Sequence, residues 1–209
     1  MITMIKILLT GFMPFGGEVI NPSYEAIKKI NAKHLNVELH LLELPVIYYE
    51  SSHILIEKIK DLDPDVILMI GQAGGRKAIS IERVAINLDD SKTPDAKGVT
   101  PMDDPISLFG PTAYFSTLPD KQIYHILSEN HIPVELSYSA GTYICNHIFY
   151  SVMHELDVSS KHHVKAGFIH VPYETSQTIN KAHMFSLDLN VIRHALELII
   201  DTVYQGLTM

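Results

Sequence analysis

The sequence predicts one α/β domain over residues 1–209, an α/β/α sandwich built on a mostly parallel, twisted central sheet. Helical and strand patterns alternate along the chain, which is the order that βαβ units produce. Residues 66–70 are apolar at every position, as in a strand of a parallel sheet that is covered on both faces. The 209 residues, 46% of them hydrophobic and 19% charged, suffice for a core of this size.

Helix-start and helix-stop residues place the elements of the amino-terminal half. Asn21 is a favoured N-cap residue, and Pro22 fits the first turn of a helix, where its missing N–H costs no hydrogen bond. Asp63 precedes Pro64, and a residue before proline avoids helical angles, so the second helix should end there. We expect strands over residues 6–10, 37–44 and 66–70, and helices over residues 22–30 and 47–62.

Residue patterns also place the elements of the carboxyl-terminal half. Residues 79–88 are predicted to be extended, whereas residues 89–117 are rich in proline and glycine and predict a long surface loop or flap. The last helix is amphipathic, with Val191, Ile192, Ala195, Leu198, Ile199 and Val203 close to one face. We expect helices over residues 120–129, 143–156 and 189–204, and strands over residues 134–137 and 164–170.

Composition argues against several classes of partner. The formal net charge is −8 and no long basic run occurs, so we expect no nucleic-acid partner. A single cysteine allows no intrachain disulfide, and a reducing cytoplasm is the simplest location. The apolar run of residues 2–9 is too short to span a bilayer and is interrupted by Lys6, so we predict a buried strand there and no membrane association.

Cys145, the one cysteine, follows a turn of small residues and begins an apolar, helix-like stretch. Unpaired N–H groups and the helix dipole at such a position favour thiolate over thiol, and the same N–H groups could hold an oxyanion. His170 ends an apolar run 25 residues later and is a candidate base for this nucleophile. The alternative is that Cys145 is only a small buried hydrophobic residue.

Glu82 lies in a stretch whose alternation places it on the same strand face as Val84 and Ile86. A carboxylate among apolar neighbours must be paired, because burying it bare is costly. Its partner could be an arginine, such as Arg76 or Arg83, or it could orient His170 as the third member of a triad.

Loops with unusual residues follow several predicted strands, and the carboxyl ends of parallel strands are where α/β proteins bind ligands. These loops are residues 11–17, 71–76, 139–145 and 170–173, and their position predicts a single site. In the first loop, Phe12 and Phe15 suit a flat, neutral ring better than a phosphate, unless both simply pack into the core. The histidines at 147, 154, 162 and 163 match no common zinc spacing, so we expect surface or capping roles for most of them, and no metal.

Four blocks of this sequence resemble pyroglutamyl peptidase type I (pyrrolidone-carboxylate peptidase), a cysteine peptidase family. They are residues 9–17 with 21–23, residues 70–76 running into 82–87, residues 136–146 with Tyr150, and residues 168–172. The resemblance implies hydrolysis of the bond after an amino-terminal L-pyroglutamyl residue of peptides through a thioester intermediate. It implies no cofactor, and it suggests a homodimer or homotetramer.

The resemblance also implies roles for individual residues. Cys145 matches the nucleophile, His170 the general base and Glu82 the residue that orients the histidine. The positions assigned to substrate binding are Phe12, Phe15, Asn21, Gln72, Lys92, Tyr143 and Ile144. Phe12 and Phe15 would enclose the pyrrolidone ring, Gln72 would hydrogen-bond the lactam, and Asn21 would support the first loop. Lys92 is a departure, since family members often carry an arginine there, and lysine keeps the charge but loses the planar fork.

Two other functions stay open on sequence alone. One is a ligand-binding α/β protein that kept the fold but lost the activity, which the complete Glu82, Cys145 and His170 set argues against. The other is a cysteine amidohydrolase that acts on a different small lactam or amide.

Overall fold

The computed structural model describes residues 4–31, 34 and 36–208. In chain order, its strands are β1 (Ile5–Phe12), β2 (Val37–Leu44), β3 (Val66–Gln72), β4 (Ile79–Glu82), β5 (Val84–Ile86), β6 (Ala113–Phe115), β7 (Val134–Ser137), β8 (Lys165–Val171), β9 (Tyr173–Glu174) and β10 (Ser186–Leu187). Its α-helices are α1 (Pro22–Ile27), α2 (Glu50–Leu62), α3 (Asp120–Glu129), α4 (Ile144–Val158) and α5 (Leu189–Thr208). A 3-10 helix covers Thr175–Thr178.

Six strands form the central sheet in the order β2-β1-β3-β8-β4-β7. Neighbouring strands are parallel except β4 and β8, which are antiparallel. All seven residues of β3 are buried, as its apolar sequence predicts for a strand covered on both faces. Short pairs β5–β6 and β9–β10 lie outside this sheet.

Helices cover both faces of the sheet, so the predicted α/β/α sandwich is confirmed. Helices α1, α3 and α5 pack on one face, where Ile7, Leu9 and Ile169 contribute to the core. Helices α2 and α4 pack on the other face, over Leu8, Met69 and Phe168. Within the described ranges, no helix combines the length and apolar character needed to cross a bilayer.

Helix boundaries depart from the sequence prediction for local reasons. α2 begins at Glu50 rather than at residue 47, because Tyr49 has φ 61 and cannot continue a right-handed helix. α1 is confirmed at its start, where the Asn21 side chain accepts a hydrogen bond from the Ser23 N–H. It ends at Ile27, three residues earlier than expected. Residues 1–3, which include the start of the apolar run 2–9, lie outside the described residues.

Two predictions for the middle of the chain hold only in part. The extended stretch 79–88 is divided at Arg83, where the backbone carbonyl accepts the Ser116 N–H and the chain leaves the central sheet. The segment 89–117 is not simply a surface loop, since it contains β6 and buries Asp89 and Asp95. β6 is three residues long and gains its order from pairing with β5, which no local pattern shows.

Candidate active site

Three of the four loops predicted to form one site meet at one edge of the central sheet. β1, β3 and β8 are parallel neighbours, so the residues after Phe12, Gln72 and Val171 leave the sheet on the same side. The expectation that residues 139–145 reach this edge by following a strand is wrong, because β7 runs antiparallel to β8. Residues 138–143 instead bring the chain back, and α4 begins beside the other loops.

Glu82, His170 and Arg76 form one hydrogen-bonded group. Glu82 Oε1 lies 2.7 Å from His170 Nδ1 and 2.7 Å from Arg76 Nη1, and the Glu82 side chain is fully buried. Strand register explains the first contact, because Ser80 pairs with His170 and Glu82 with Phe168, which makes Glu82 and His170 diagonal neighbours on one face. Both partners left open by the sequence, the histidine and Arg76, are therefore present.

The Glu82–His170 bond assigns the histidine tautomer. A carboxylate accepts hydrogen bonds only, so Nδ1 of a neutral His170 carries the proton and Nε2 is left as the acceptor. Arg76 also donates from Nη2 to the Ser139 carbonyl oxygen at 3.0 Å, which ties the loop before α4 to the same carboxylate.

Cys145 is placed over β3 by the absence of a side chain at Gly71. A Cβ on residue 71 would lie 2.9 Å from the Cys145 Sγ and 2.7 Å from Cζ of Phe168. Gly71 of β3 pairs with His170 of β8. The thiol, which lies over Gly71, and the imidazole of His170 are therefore at the same level of the sheet. Adjacent strands lie about 4.8 Å apart, within reach of two side chains on one face.

The first turn of α4 holds this thiol and presents free N–H groups. Tyr143 is the N-cap residue and makes no side-chain cap hydrogen bond, so no side chain closes off the helix start. Asn146 is fully buried and binds β5, accepting from the Ile86 N–H at 3.0 Å and donating to the Ile86 carbonyl oxygen at 2.9 Å. Such a helix start can hold a developing oxyanion.

The expected lowering of the Cys145 pKa is wrong for the protein without ligand. Burial, the larger effect, and the charge of Glu82 together raise the pKa of the thiol to about 12, and Arg76 offsets only part of this rise. Burial also lowers the pKa of His170 despite its bond to Glu82. The resting pair is therefore a neutral thiol and a neutral imidazole rather than a thiolate and an imidazolium.

A small pocket opens at the thiol. The space within it, including the part open to solvent, has a volume of about 290 Å³. Phe12 is 3% exposed and packs in the core, as one alternative expected, and it also lines the pocket, so its contact with a ring stays a prediction. The lining residues are Phe12, Phe15, Asn21, Val46, Gln72, Tyr143, Ile144 and Cys145. None of these eight described residues is an acid or a strong base, so the pocket suits a neutral ring.

The chain is similar over almost its whole length to known proteins of one family. The family model for pyroglutamyl peptidase matches residues 5–206. The chain is 46% identical over 200 residues to the pyrrolidone-carboxylate peptidase of Vibrio vulnificus, covering 95% of this chain and 92% of that protein. It is 43% identical over 203 residues to pyrrolidone-carboxylate peptidase 1 of Caldanaerobacter subterraneus subsp. tengcongensis, covering 97% and 100%.

The chain belongs to the pyroglutamyl peptidase family.

Solved structures of the pyroglutamyl peptidase family share the whole fold. The crystal structure of pyroglutamyl peptidase I from Bacillus amyloliquefaciens has a TM-score of 0.90 at 44% identity, covering 96% of this chain and 95% of that one. The pyrrolidone carboxyl peptidase from Thermococcus litoralis has a TM-score of 0.93 at 34% identity, covering 98% and 96%. Membership in this peptidase family makes the chain a hydrolase of the thiol exopeptidase type.

Lys92 does not line the pocket, although the resemblance assigned this position to substrate binding. It is exposed on the loop after Asp89, and its assignment to substrate binding finds no support in the pocket geometry. The loop itself does contact the site, because Tyr143 donates from its hydroxyl to the Pro94 carbonyl oxygen at 3.1 Å. Arg76, rather than residue 92, is the strong base in the hydrogen-bonded group of Glu82 and His170.

Asn21 and Gln72 line the pocket but are already hydrogen-bonded. Asn21 Oδ1 accepts from both the N–H and the hydroxyl of Ser23, and its Nδ2 donates to the Met13 carbonyl oxygen at 3.1 Å. These contacts hold the first loop, in agreement with the supporting role expected for Asn21. Gln72 Oε1 accepts from the Gln177 amide at 3.0 Å.

Sequence reasoning missed three features around this site. Val46 is a buried residue of the pocket wall, and no motif distinguishes it. His147 is 1% exposed and bonds the buried Asp89 at 2.7 Å, so its expected surface or capping role is wrong. Its position two residues after Cys145 on a helix was the available signal. Gln177 lies in a polar segment without periodicity, and only the fold brings it to Gln72.

No metal centre is apparent in the described ranges. Across residues 4–31, 34 and 36–208, no group of three or more His, Cys, Asp or Glu side chains is arranged to hold an ion.

Proposed function

We propose that this protein removes an amino-terminal L-pyroglutamyl residue from peptides, with Cys145 as nucleophile, His170 as general base and acid, and Glu82 as the residue that orients His170. The observation that carries the proposal is a small pocket with an uncharged lining that has the Cys145 thiol in its wall. Peptides that begin with pyroglutamate have no free α-amine, so such a pocket accepts their first residue without a counter-charge.

Acylation begins with a proton transfer, because burial holds the thiol protonated at neutral pH. His170 Nε2, the unprotonated nitrogen, takes the Cys145 proton while the sulfur attacks the carbonyl carbon of the pyroglutamyl bond. The oxyanion that forms is stabilised by backbone N–H groups at the start of α4. Glu82 stabilises the imidazolium through the Nδ1 hydrogen bond.

Collapse of this intermediate breaks the carbon–nitrogen bond and leaves a thioester on Cys145. The proton on His170 Nε2 moves to the departing amine nitrogen, so the shortened peptide leaves neutral. His170 then takes a proton from water as the hydroxide attacks the thioester carbon. The carbon–sulfur bond breaks, the sulfur regains its proton from His170, and L-pyroglutamate is released.

Specificity follows from the shape and polarity of the pocket. Phe12 and Phe15 supply apolar walls, and Gln72 supplies a buried polar group at the same site. A proline ring lacks the lactam carbonyl and would leave that group unpaired, which a binding site of this kind penalises strongly.

The test is release of a chromogenic amine from its L-pyroglutamyl derivative, with the L-prolyl derivative as the control substrate. We expect thiol-dependent release from the pyroglutamyl compound alone, and a loss of at least about 10³-fold in Cys145→Ala. His170→Ala should be nearly as inactive. Activity of Cys145→Ala near that of the wild type would remove Cys145 as nucleophile.

Two failures have different meanings. No release by folded, reduced protein would favour a binding protein that kept the fold. Release from other small lactams or amides at rates equal to the pyroglutamyl compound would favour a broader amidohydrolase.

A further inference from the structure

The orientation of the Gln177 side-chain amide is determined by neighbouring groups that can only donate or only accept a hydrogen bond. Its Oε1 faces the Glu174 backbone N–H at 2.9 Å, which is a donor only. Its Nε2 faces the Glu18 carboxylate at 3.1 Å and the Ile20 carbonyl oxygen at 3.4 Å, which accept only. A flipped Gln177 would place oxygen against oxygen at two contacts and a donor against the Glu174 N–H.

An ion pair keeps the Glu18 carboxylate in its accepting form. Lys181 Nζ bonds Glu18 Oε1, and this contact lowers the pKa of Glu18. Lys181 also lies over the Tyr173 ring of its own segment, 4.2 Å from the ring centroid. The contacts of Lys181 and Gln177 with Glu18, and of Gln177 with Ile20, attach this segment to the residues that follow the first loop.

The orientation of the Gln177 amide determines the orientation of the Gln72 amide. Gln177 Nε2 lies 3.0 Å from the Gln72 side chain, and a donor there requires the Gln72 oxygen to face it. Both side chains are only 8% exposed, so bulk water offers little competition. The Gln72 Nε2 is left as the end of that amide available to a ligand, and Gln72 lines the pocket beside Cys145.

We propose that Gln177 is a specificity-determining positioning residue, which fixes Gln72 as a hydrogen-bond donor to the ring carbonyl of the substrate. This inference rests on the proposed function. It refines the expectation that Gln72 hydrogen-bonds the lactam, because Gln177 holds the acceptor end of the Gln72 amide and leaves only the donor end.

The fixed orientation has a physical consequence for selection. A free glutamine amide has two orientations of similar energy, and one of them would point its oxygen at the oxygen of the lactam. Holding the amide in one orientation removes that repulsive state before the substrate arrives. A ring without a carbonyl gains nothing from this arrangement.

The experiment compares two neutral rings in wild type, Gln177→Leu, Gln72→Leu and the double variant. One chromogenic substrate carries the L-pyroglutamyl group, and the other carries a cyclopentanecarbonyl group, which has the same ring size but no ring carbonyl or N–H. Where the second compound turns over too slowly, its inhibition constant replaces kcat/KM. Thr178→Val is the matched control, since it removes the hydrogen bonds of the Thr178 hydroxyl to the Thr175 carbonyl oxygen and the Ser186 hydroxyl in the same segment, and leaves Glu18, Gln177 and Gln72 unchanged.

We expect Gln177→Leu to lower kcat/KM for the pyroglutamyl compound about tenfold, the usual scale for one buried hydrogen bond, mainly through KM. The value for the cyclopentanecarbonyl compound should change less than about twofold. In the Gln72→Leu background the same substitution should cause no further loss of preference, because Gln177 acts through Gln72. Thr178→Val should keep the wild-type preference.

An equal loss on both rings, or an additive loss in the double variant, would reduce Gln177 to a general structural role and overturn the inference. Unchanged preference in folded Gln177→Leu would overturn it as well. Failure of the proposed function is distinguishable, since it would show as absent pyroglutamyl turnover in the wild type.

Discussion

At the scale of single residues, the thiol of Cys145 is subject to two opposing effects. The start of α4 favours a negative charge, but burial and the nearby Glu82 carboxylate disfavour it more, and the pKa rises to about 12. The sequence shows the helix start, which is local. It does not show the desolvation, which depends on residues from β3 and β8 that lie far away in the chain.

This balance predicts the pH dependence of Cys145 alkylation. A group with a raised pKa is less ionised at every pH below that value, so the rate with iodoacetamide should rise continuously from pH 5 to pH 9. An alkylation rate that is already independent of pH below 7 would instead show a thiolate–imidazolium pair in the free protein. Cys145→Ala supplies the background rate.

Gly71 provides a second prediction at this scale. In Gly71→Ala the new methyl group would lie 2.9 Å from Sγ, so the thiol must move away from the position it holds next to His170. We expect kcat to fall by about 100-fold, the scale of a displacement near 1 Å. Gly206→Ala is the matched control, since nothing lies within 4 Å of that position. Wild-type turnover by Gly71→Ala would mean that turnover does not depend on the position that Gly71 allows the thiol to take.

At the scale of elements, α4 organises the site through consecutive residues of its first turns. Cys145 faces the pocket, Asn146 binds β5, and His147 binds Asp89 and the hydroxyl of Ser52 on α2. The loop that follows Asp89 then reaches the pocket wall at Tyr143. Hydrogen bonds from the start of one helix therefore connect Cys145 with the loop of residues 89–95.

Removing one partner of the His147–Asp89 pair should be costly. In His147→Leu the Asp89 carboxyl, whose pKa burial already raises, stays buried without its partner, and we expect a loss of about 3–5 kcal/mol of unfolding free energy. Adding Asp89→Asn should recover part of the loss, because it removes the buried charge. Urea unfolding of the single and double variants measures both. Equal stability of His147→Leu and wild type would show that the pair contributes no net stability.

Elements with a local signal were predictable, and those formed by distant pairing were not. The apolar run of β3 and the amphipathic face of α5 appear directly in the sequence. β6 and the β9–β10 pair have three and two residues in each strand and no pattern of their own. The reversed direction of β4 and β7 is likewise invisible, since strand residues alternate in the same way in either direction.

At the scale of the whole molecule, the sandwich brings residues of β1, β3, β4, β8 and α4 together at one candidate site. Phe12, Gln72 and His170 were predictable as neighbours because they end parallel strands. Lys92 was assigned by resemblance alone, and its exposed position follows from the path of a loop that has no periodicity. Gln177 could not be found, since its partner lies 105 residues away in the chain.

The quaternary structure stays a prediction at this scale. The family resemblance suggests a homodimer or homotetramer, which light scattering coupled to gel filtration would measure. A mass near 23.5 kDa at micromolar concentration would contradict it.

The uncharged lining of the pocket has a consequence for how a peptide is selected. An amino-terminal glutamine and the pyroglutamate that forms from it differ by one molecule of ammonia, yet only the open form carries an ammonium group. Entry of that group would strip its hydration in a pocket without a carboxylate in its wall, which is strongly unfavourable. The enzyme would thus leave a peptide with an amino-terminal glutamine intact and cleave it only after that residue has cyclised.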